Sequence, residues 1–366
     1  MPPELLSMAR GGTEIAPSLS RHRTQFEGDV DVNHMKKLAA LSLLSALVAA
    51  SCGGGSNSAV PPAPAPAPGP SGTVADPGQL LPSTVDPAVA ADATEFHVVI
   101  PPAPGSTAQH KLFVFLPGTF GVPSQYELIV KAGASRGFHT IGLDYPNSVA
   151  VGAVCQTSTD VNCFWDVRRA IITGAAVSSD ITVSVPNSIV TRLTKAIAHL
   201  NEAYPTEGWS EYLVGGTLDW SKVVVGGHSQ GGGHAGVMTK LYPMSRACYF
   251  SSPPDYSGGP ADWMTRPNLT SASLQFGFAG LSDPSVPYNE LSANFTALGV
   301  AGPPVSVDSN PPPYGGSHVL TTDHAPNPSS ETGTPLHGLT VRDAFTPRDS
   351  SGQPLFAAAW NYLCFQ

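Results

Sequence analysis

One stretch constrains this chain more than any other: Val223-Val-Val-Gly-Gly-His-Ser-Gln-Gly-Gly-Gly233. Lys222 to Gly226 is a short, nearly continuous apolar run, the pattern of a strand buried on both faces. His234 to Leu241 reads as a helix reached through a tight glycine turn. Between them, Gly227-His228-Ser229-Gln230-Gly231 matches G-x-S-x-G. A serine on a sharp strand-to-helix turn is strained and exposes its hydroxyl, and flanking glycines remove side chains that would clash across the turn. The helix N-terminus beyond it favours negative charge beside the serine. In a chain with 37 glycines the bare motif says little. The strand before it and the helix after it give it weight.

The same alternation runs through the chain. Phe96 to Ile100 and Lys111 to Leu116 read as strands, rich in Val, Ile and Phe and bounded by Pro and Gly. A helix is expected over Tyr126 to Arg136, stopped by Gly137, then a strand from His139 to Asp144. Irregular sequence follows to about Ser184. Pro186-Asn187-Ser188 opens a helix with Ile189, Leu193, Ile197 and Leu200 at three- and four-residue steps. Ala247 to Ser251 and Leu274 to Ala279 are strands, and Tyr288 to Leu298 a helix. Pro304 to Asp308 is the last expected strand, and Leu355 to Phe365 a terminal helix. Strands alternating with crossover helices predict an α/β fold, its mainly parallel central sheet covered by helices on both faces. Ligands of such sheets bind at the carboxyl ends of the strands. Segments 145–185 and 252–273 predict a small cap over that edge. Trp165, Tyr256 and Trp263 within them either line a pocket or pack the cap.

The N-terminus reads as a targeting segment. Met35-Lys36-Lys37 precedes an uncharged run from Leu38 to Ser51, then Cys52. A basic start, a short apolar stretch and small residues before a cut are the signal-peptide pattern. The run is shorter than the roughly 20 residues a membrane span needs. Ala49-Ala50-Ser51-Cys52 resembles a bacterial lipobox, in which the cysteine is acylated and becomes the N-terminus. Gly53 follows, with no Asp there, so an outer-membrane destination is expected in a Gram-negative host. Residues 1–34 are set aside as an extension, 35–51 as the signal peptide and 52–80 as a tether. Residues 53–72 hold 6 Pro and 5 Gly, a composition that favours extended chain. The remaining 81–366 are expected to form one domain.

Charged residues are only 12% of the chain, about half the usual quarter, which argues against a coiled coil. With a net charge of −9 and no Lys/Arg block, a nucleic-acid partner is not expected. Export makes disulfides plausible. Cys155, Cys163, Cys248 and Cys364 allow three pairings. Cys155–Cys163 would close a short polar loop, leaving Cys248–Cys364. No spacing reads as a metal site.

From about residue 95 to 365 the chain resembles the α/β-hydrolase superfamily. Trp209 through Gly233, with Trp220-Ser221-Lys222 leading into the turn, looks like a group of exported bacterial esterase-like serine hydrolases. The resemblance implies an α/β-hydrolase fold, no cofactor, and a nucleophile, acid and histidine in that chain order. Ser229 would be the nucleophile. One oxyanion donor would be the backbone amide of Gln230, after the nucleophile. The other is assigned to the Thr119 amide, because Leu116-Pro-Gly-Thr-Phe-Gly121 lies where relatives carry a His-Gly turn. Asp283, just beyond the strand Leu274–Ala279, is the expected acid, with Asp255 its rival. His337 is the expected base, in a segment similar to the terminal histidine motif of those relatives. His318 is the runner-up, with the shorter path from the strand at Pro304–Asp308, and His324 is third. His228 and His234 lie too near Ser229 in sequence to serve as base and are read as packing residues.

The expected function is hydrolysis of carboxylic esters through an acyl-enzyme. The substrate would be a small-molecule, lipid or polymer ester. An exported serine peptidase or amidase with the same residues is the second reading, and a catalytically inactive surface-binding lipoprotein the third. Fold does not fix substrate.

Overall fold

The computed structural model describes residues 76–89, 95–300 and 302–366. The extension, the signal peptide and Cys52 lie outside the described residues. The sheet begins at Gly78, inside the segment expected to be tether.

The elements, in chain order, are β1 (Gly78–Leu80), α1 (Pro82–Val85), β2 (His97–Ile100), β3 (Leu112–Leu116), α2 (Glu127–Ser135) and β4 (His139–Gly142). Then come α3 (Val151–Thr157), α4 (Cys163–Thr173), α5 (Ile189–Ala203) and a small hairpin of β5 (Leu213–Val214) and β6 (Thr217–Leu218). The central strand β7 (Val223–His228) leads into α6 (Gln230–Leu241). The rest are β8 (Arg246–Phe250), β9 (Gln275–Gly280), α7 (Tyr288–Leu298), β10 (Val305–Ser306), β11 (Val319–Thr322), α8 (Pro335–Gly338) and α9 (Ala357–Cys364).

Among the described residues, nine strands form one sheet in the order β1-β2-β4-β3-β7-β8-β9-β11-β10. β2 pairs antiparallel with both neighbours, and every other pairing is parallel. Successive side chains point to opposite faces of a strand, and β3 shows the consequence. Leu112, Val114 and Leu116 enter one core with α4, α5 and α6. Phe113 and Phe115 enter the other, with α2 and α9. Both faces are covered, which is why these strands read as unbroken apolar runs. β7 lies at the middle of the sheet and delivers Ser229 at its carboxyl end, directly before α6. This is an α/β-hydrolase fold.

Three expectations need correction. No glycine turn precedes α6, which starts at Gln230. The segment expected to be irregular contains α3 and α4. The expected strand at Pro304–Asp308 is only the edge pair Val305–Ser306, and β11 lies between it and β9. Within the first inserted segment, α4 packs beside α5 and α6. Trp263 is fully buried and donates its indole N–H to Asp255 at 2.8 Å. Trp165 lies under the guanidinium groups of Arg169 and Arg266. Tyr256 forms a bridge with Pro260. These aromatics pack and do not line the cavity described below.

Both disulfides join the cysteines as expected: Cys155–Cys163, between α3 and α4, and Cys248–Cys364. The second ties β8 to α9 across 116 residues of sequence. A bond closing so long a loop constrains the unfolded chain far more than the eight-residue one. Cys364→Ala should therefore cost about 2–5 kcal/mol in chemical denaturation. Cys163→Ala should cost less, and equal losses would contradict this account.

Candidate active site

Ser229 sits between β7 and α6 with φ 52° and ψ −119°, a left-handed conformation that is costly for a residue with a side chain. The surrounding backbone leaves little alternative. A Cβ at Gly227 would lie 2.4 Å from the Gly231 carbonyl carbon, and one at Gly231 would lie 2.1 Å from the Leu116 carbonyl oxygen. The glycines thus let α6 start against both β7 and the end of β3. That contact brings the Pro117–Gly121 loop beside the serine. Ser252, after β8, donates its hydroxyl to the Ser229 carbonyl at 2.7 Å. This fixes the peptide plane whose other end is the Gln230 N–H.

Asp283 follows β9, and His337 lies in the one-turn helix α8. The structure brings them together: His337 Nδ1 is 2.7 Å from Asp283 Oδ2. Since the carboxylate accepts, Nδ1 carries the proton and Nε2 is left to face a reactant. Asp283 Oδ1 also accepts from the amides of Ser285 at 2.8 Å and Val286 at 3.2 Å. Burial works to raise the Asp283 carboxyl. The His337 contact and these amides outweigh it and hold it below the usual carboxylate range. A charged Asp283 is the form that orients the imidazole and stabilises its protonated state.

Ser229 and His337 line one cavity of about 470 Å³, together with Gly118, Thr119 and Phe120. Thr119 donates its hydroxyl to Gln230 Oε1 at 2.9 Å, so the two assigned oxyanion residues are joined to each other. Asn147 Nδ2 bonds the carbonyls of Gly118 at 2.9 Å and Gly121 at 2.7 Å, which pins the loop from its other side. Backbone amides held in this way need not reorganise when charge develops on a reacting oxygen.

The remaining candidates lie elsewhere. Asp255 is fully buried and engaged by Arg168, whose Nε lies 2.6 Å from Oδ2 and whose Nη2 bonds Oδ1. Arg168 also donates to the Gln230 carbonyl at 2.9 Å. The Asp255 carboxylate thus holds the base of α6 and has no imidazole beside it. His318 precedes β11 and so stands at the amino end of a parallel strand. Its Nδ1 lies 3.1 Å from the carbonyl of Gln275, where β9 begins. Asp283 lies beyond the other end of β9, roughly 16 Å away at strand rise. His324 is on the correct edge but is exposed, with its Nδ1 at 2.9 Å from the Ala325 carbonyl. Neither His318 nor His324 lines the cavity.

His228 does more than pack. Its Nε2 lies 3.0 Å from the His337 carbonyl and its Nδ1 3.0 Å from the Tyr126 hydroxyl. A carbonyl only accepts, so Nε2 donates and Nδ1 accepts from Tyr126. The Tyr126 oxygen in turn accepts from the Gly118 amide at 3.4 Å. Burial, with the His337 ring beside it, pushes His228 down to about 3, so it stays neutral. Ser251 donates a second bond to the His337 carbonyl at 3.0 Å. The backbone of the candidate base is thereby tied to the Pro117–Gly121 loop. Sequence reading missed Tyr126, Asn147 and Ser252 because each acts through a contact distant in the chain. His234 is fully buried, with Nδ1 3.3 Å from Arg168 Nη1, and is a packing residue. Among the described residues no group of three or more His, Cys, Asp or Glu could hold a metal ion.

No family model matches the chain, and no curated protein matches it. Among solved structures, similarity is found to esterase 2 of the planctomycete Thermogutta terrifontis. Its native form is 16% identical, over 67% of this chain and 80% of that chain, with a TM-score of 0.33. The form phosphonylated by cyclosarin is 16% identical over 68% and 83%, with a TM-score of 0.37. The apo form is 14% identical over 69% and 83%, at 0.35. Strand order and the Ser229 turn define the fold.

Proposed function

We propose that the protein is a serine hydrolase that cleaves carboxylic esters through an acyl-enzyme. The observation that carries this reading is the convergence on one cavity of a strained Ser229 and a His337 oriented by Asp283. Ser229 Oγ attacks the ester carbonyl carbon while its proton passes to His337 Nε2. The amides of Thr119 and Gln230 stabilise the resulting oxyanion. The bond from the carbonyl carbon to the alkoxy oxygen then breaks, and the alcohol leaves with the proton from His337. Water attacks the acyl-enzyme, gives its proton to His337, and releases the acid as Ser229 recovers its hydrogen.

The direct test compares p-nitrophenyl butyrate with the butyryl anilide. Turnover of the ester with little of the anilide is expected. Preference for the anilide would favour a peptidase or amidase, and turnover of neither, with no fluorophosphonate labelling of Ser229, would overturn the enzyme reading.

We also propose that Cys52 is lipidated and holds the domain to the cell envelope through the Pro- and Gly-rich tether. The support is the sequence pattern alone. Cys52→Ser should move the protein from the membrane fraction to the soluble one with its activity intact. An unmodified N-terminus at another residue, found by mass spectrometry, would contradict lipidation. No helix among the described residues is long and apolar enough to cross a membrane.

A further inference from the structure

We propose that this site takes the ester of a short acid carrying its own oxygen substituent, such as a hydroxy acid, rather than a long-chain fatty ester. The inference rests on the hydrolase reading and concerns the wall opposite the reacting groups.

Pockets for apolar ligands are lined mainly by hydrophobic side chains. This one is not. Among the described residues, no Leu, Ile, Val or Met lines it. Gly121, Gly333 and Gly338 present backbone, and Ser285, Thr332 and Thr334 present hydroxyls, while the side chains of Gln125 and Arg342 are both engaged by Glu331. Ser285, Thr332 and Thr334 are solvent-exposed, so their hydroxyls are accessible to a bound ligand. The aromatic contributors do not change this. Tyr126 is buried in the core with its hydroxyl turned to His228. Phe120 is 72% exposed, with φ 57°, and so stands at the mouth rather than in the wall. A more apolar cavity, beside Val149, Ile171 and Ile181, shares none of the site's lining residues.

A long acyl chain would therefore meet hydroxyl and amide groups that lose water without gaining a partner. A short acid with a hydroxyl or carbonyl would bond them instead. Phe120 then offers one apolar surface to whatever projects from the mouth, namely the alcohol portion or the next unit of an oligomeric ester.

The test uses the full-length protein and p-nitrophenyl esters of butyric, 3-hydroxybutyric, octanoic and palmitic acids, with kcat/KM as the readout. The 3-hydroxybutyrate is expected to exceed the butyrate by about tenfold, the worth of one useful hydrogen bond. Octanoate and palmitate should fall below butyrate. An apolar channel would instead raise kcat/KM by roughly fourfold for each added methylene. The double variant Thr332→Val, Thr334→Val should bring the hydroxybutyrate-to-butyrate ratio toward one. A rate that climbs with chain length, or a hydroxyl without effect, overturns the proposal. Fluorophosphonate labelling of Ser229 separates the two levels. Labelling with the wrong ester profile, or with no ester turned over, sinks only this substrate class. Loss of labelling and of all turnover sinks the hydrolase reading beneath it.

Discussion

Ser229→Ala is expected to lower ester turnover by roughly 10⁴-fold or more while leaving the fold intact. The size follows from role. Removing the nucleophile of a serine hydrolase eliminates the covalent route, and what remains is orientation and oxyanion binding. The retention of fold follows from contacts. The turn is fixed by Gly227 and Gly231 against their neighbours and by the Ser252 hydroxyl on the Ser229 carbonyl. None of these uses the Ser229 hydroxyl. Circular dichroism and the thermal midpoint should match the unaltered protein. Activity within about tenfold of it would remove Ser229 from the chemistry.

His337→Ala should be nearly as severe, and His318→Ala should leave turnover close to that of the unaltered protein. The two histidines stand at opposite ends of the parallel strands. His337 contacts Asp283 beyond the carboxyl end of β9, and His318 contacts the carbonyl of Gln275 at its start. A general base must reach the nucleophile's proton, and only one of these rings shares a cavity with Ser229. Inactivity of His318→Ala together with an active His337→Ala would reverse the assignment. Asp283→Asn belongs to the same series, because an amide oxygen orients the ring without stabilising its charge. It should reduce turnover strongly, whereas Asp255→Asn should act through stability, by leaving buried Arg168 without its counter-charge.

The strands and the Ser229 turn were legible because sheets buried on both faces write themselves as apolar runs. The failures have particular causes. α4 escaped notice because Arg168 lies on its buried face, and a periodicity that treats arginine as exposed breaks there. Its partner, Asp255, is 87 residues away in sequence. Gly231, Gly232 and Gly233 read as a turn because glycine weakens helices. Here they lie within α6, where close neighbours forbid larger residues; a Cβ at Gly233 would lie 2.2 Å from Arg168 Nη2. β11 escaped because four residues, Val319–Thr322, carry too little pattern. That omission made His337 look remote from the sheet. With β11 beside β9, the chain returns to α8 from a strand adjacent to Asp283. Nearness to Ser229 in sequence rules His228 out as a base and leaves packing as its expected role. Sequence does not show that its ring would hold the His337 backbone.

The most direct measurement is intact-protein mass spectrometry after fluorophosphonate treatment, with the adduct mapped by peptide. A single adduct on Ser229 is predicted, absent in Ser229→Ala and formed far more slowly in His337→Ala. No adduct, or an adduct on another serine that persists in Ser229→Ala, would contradict the account.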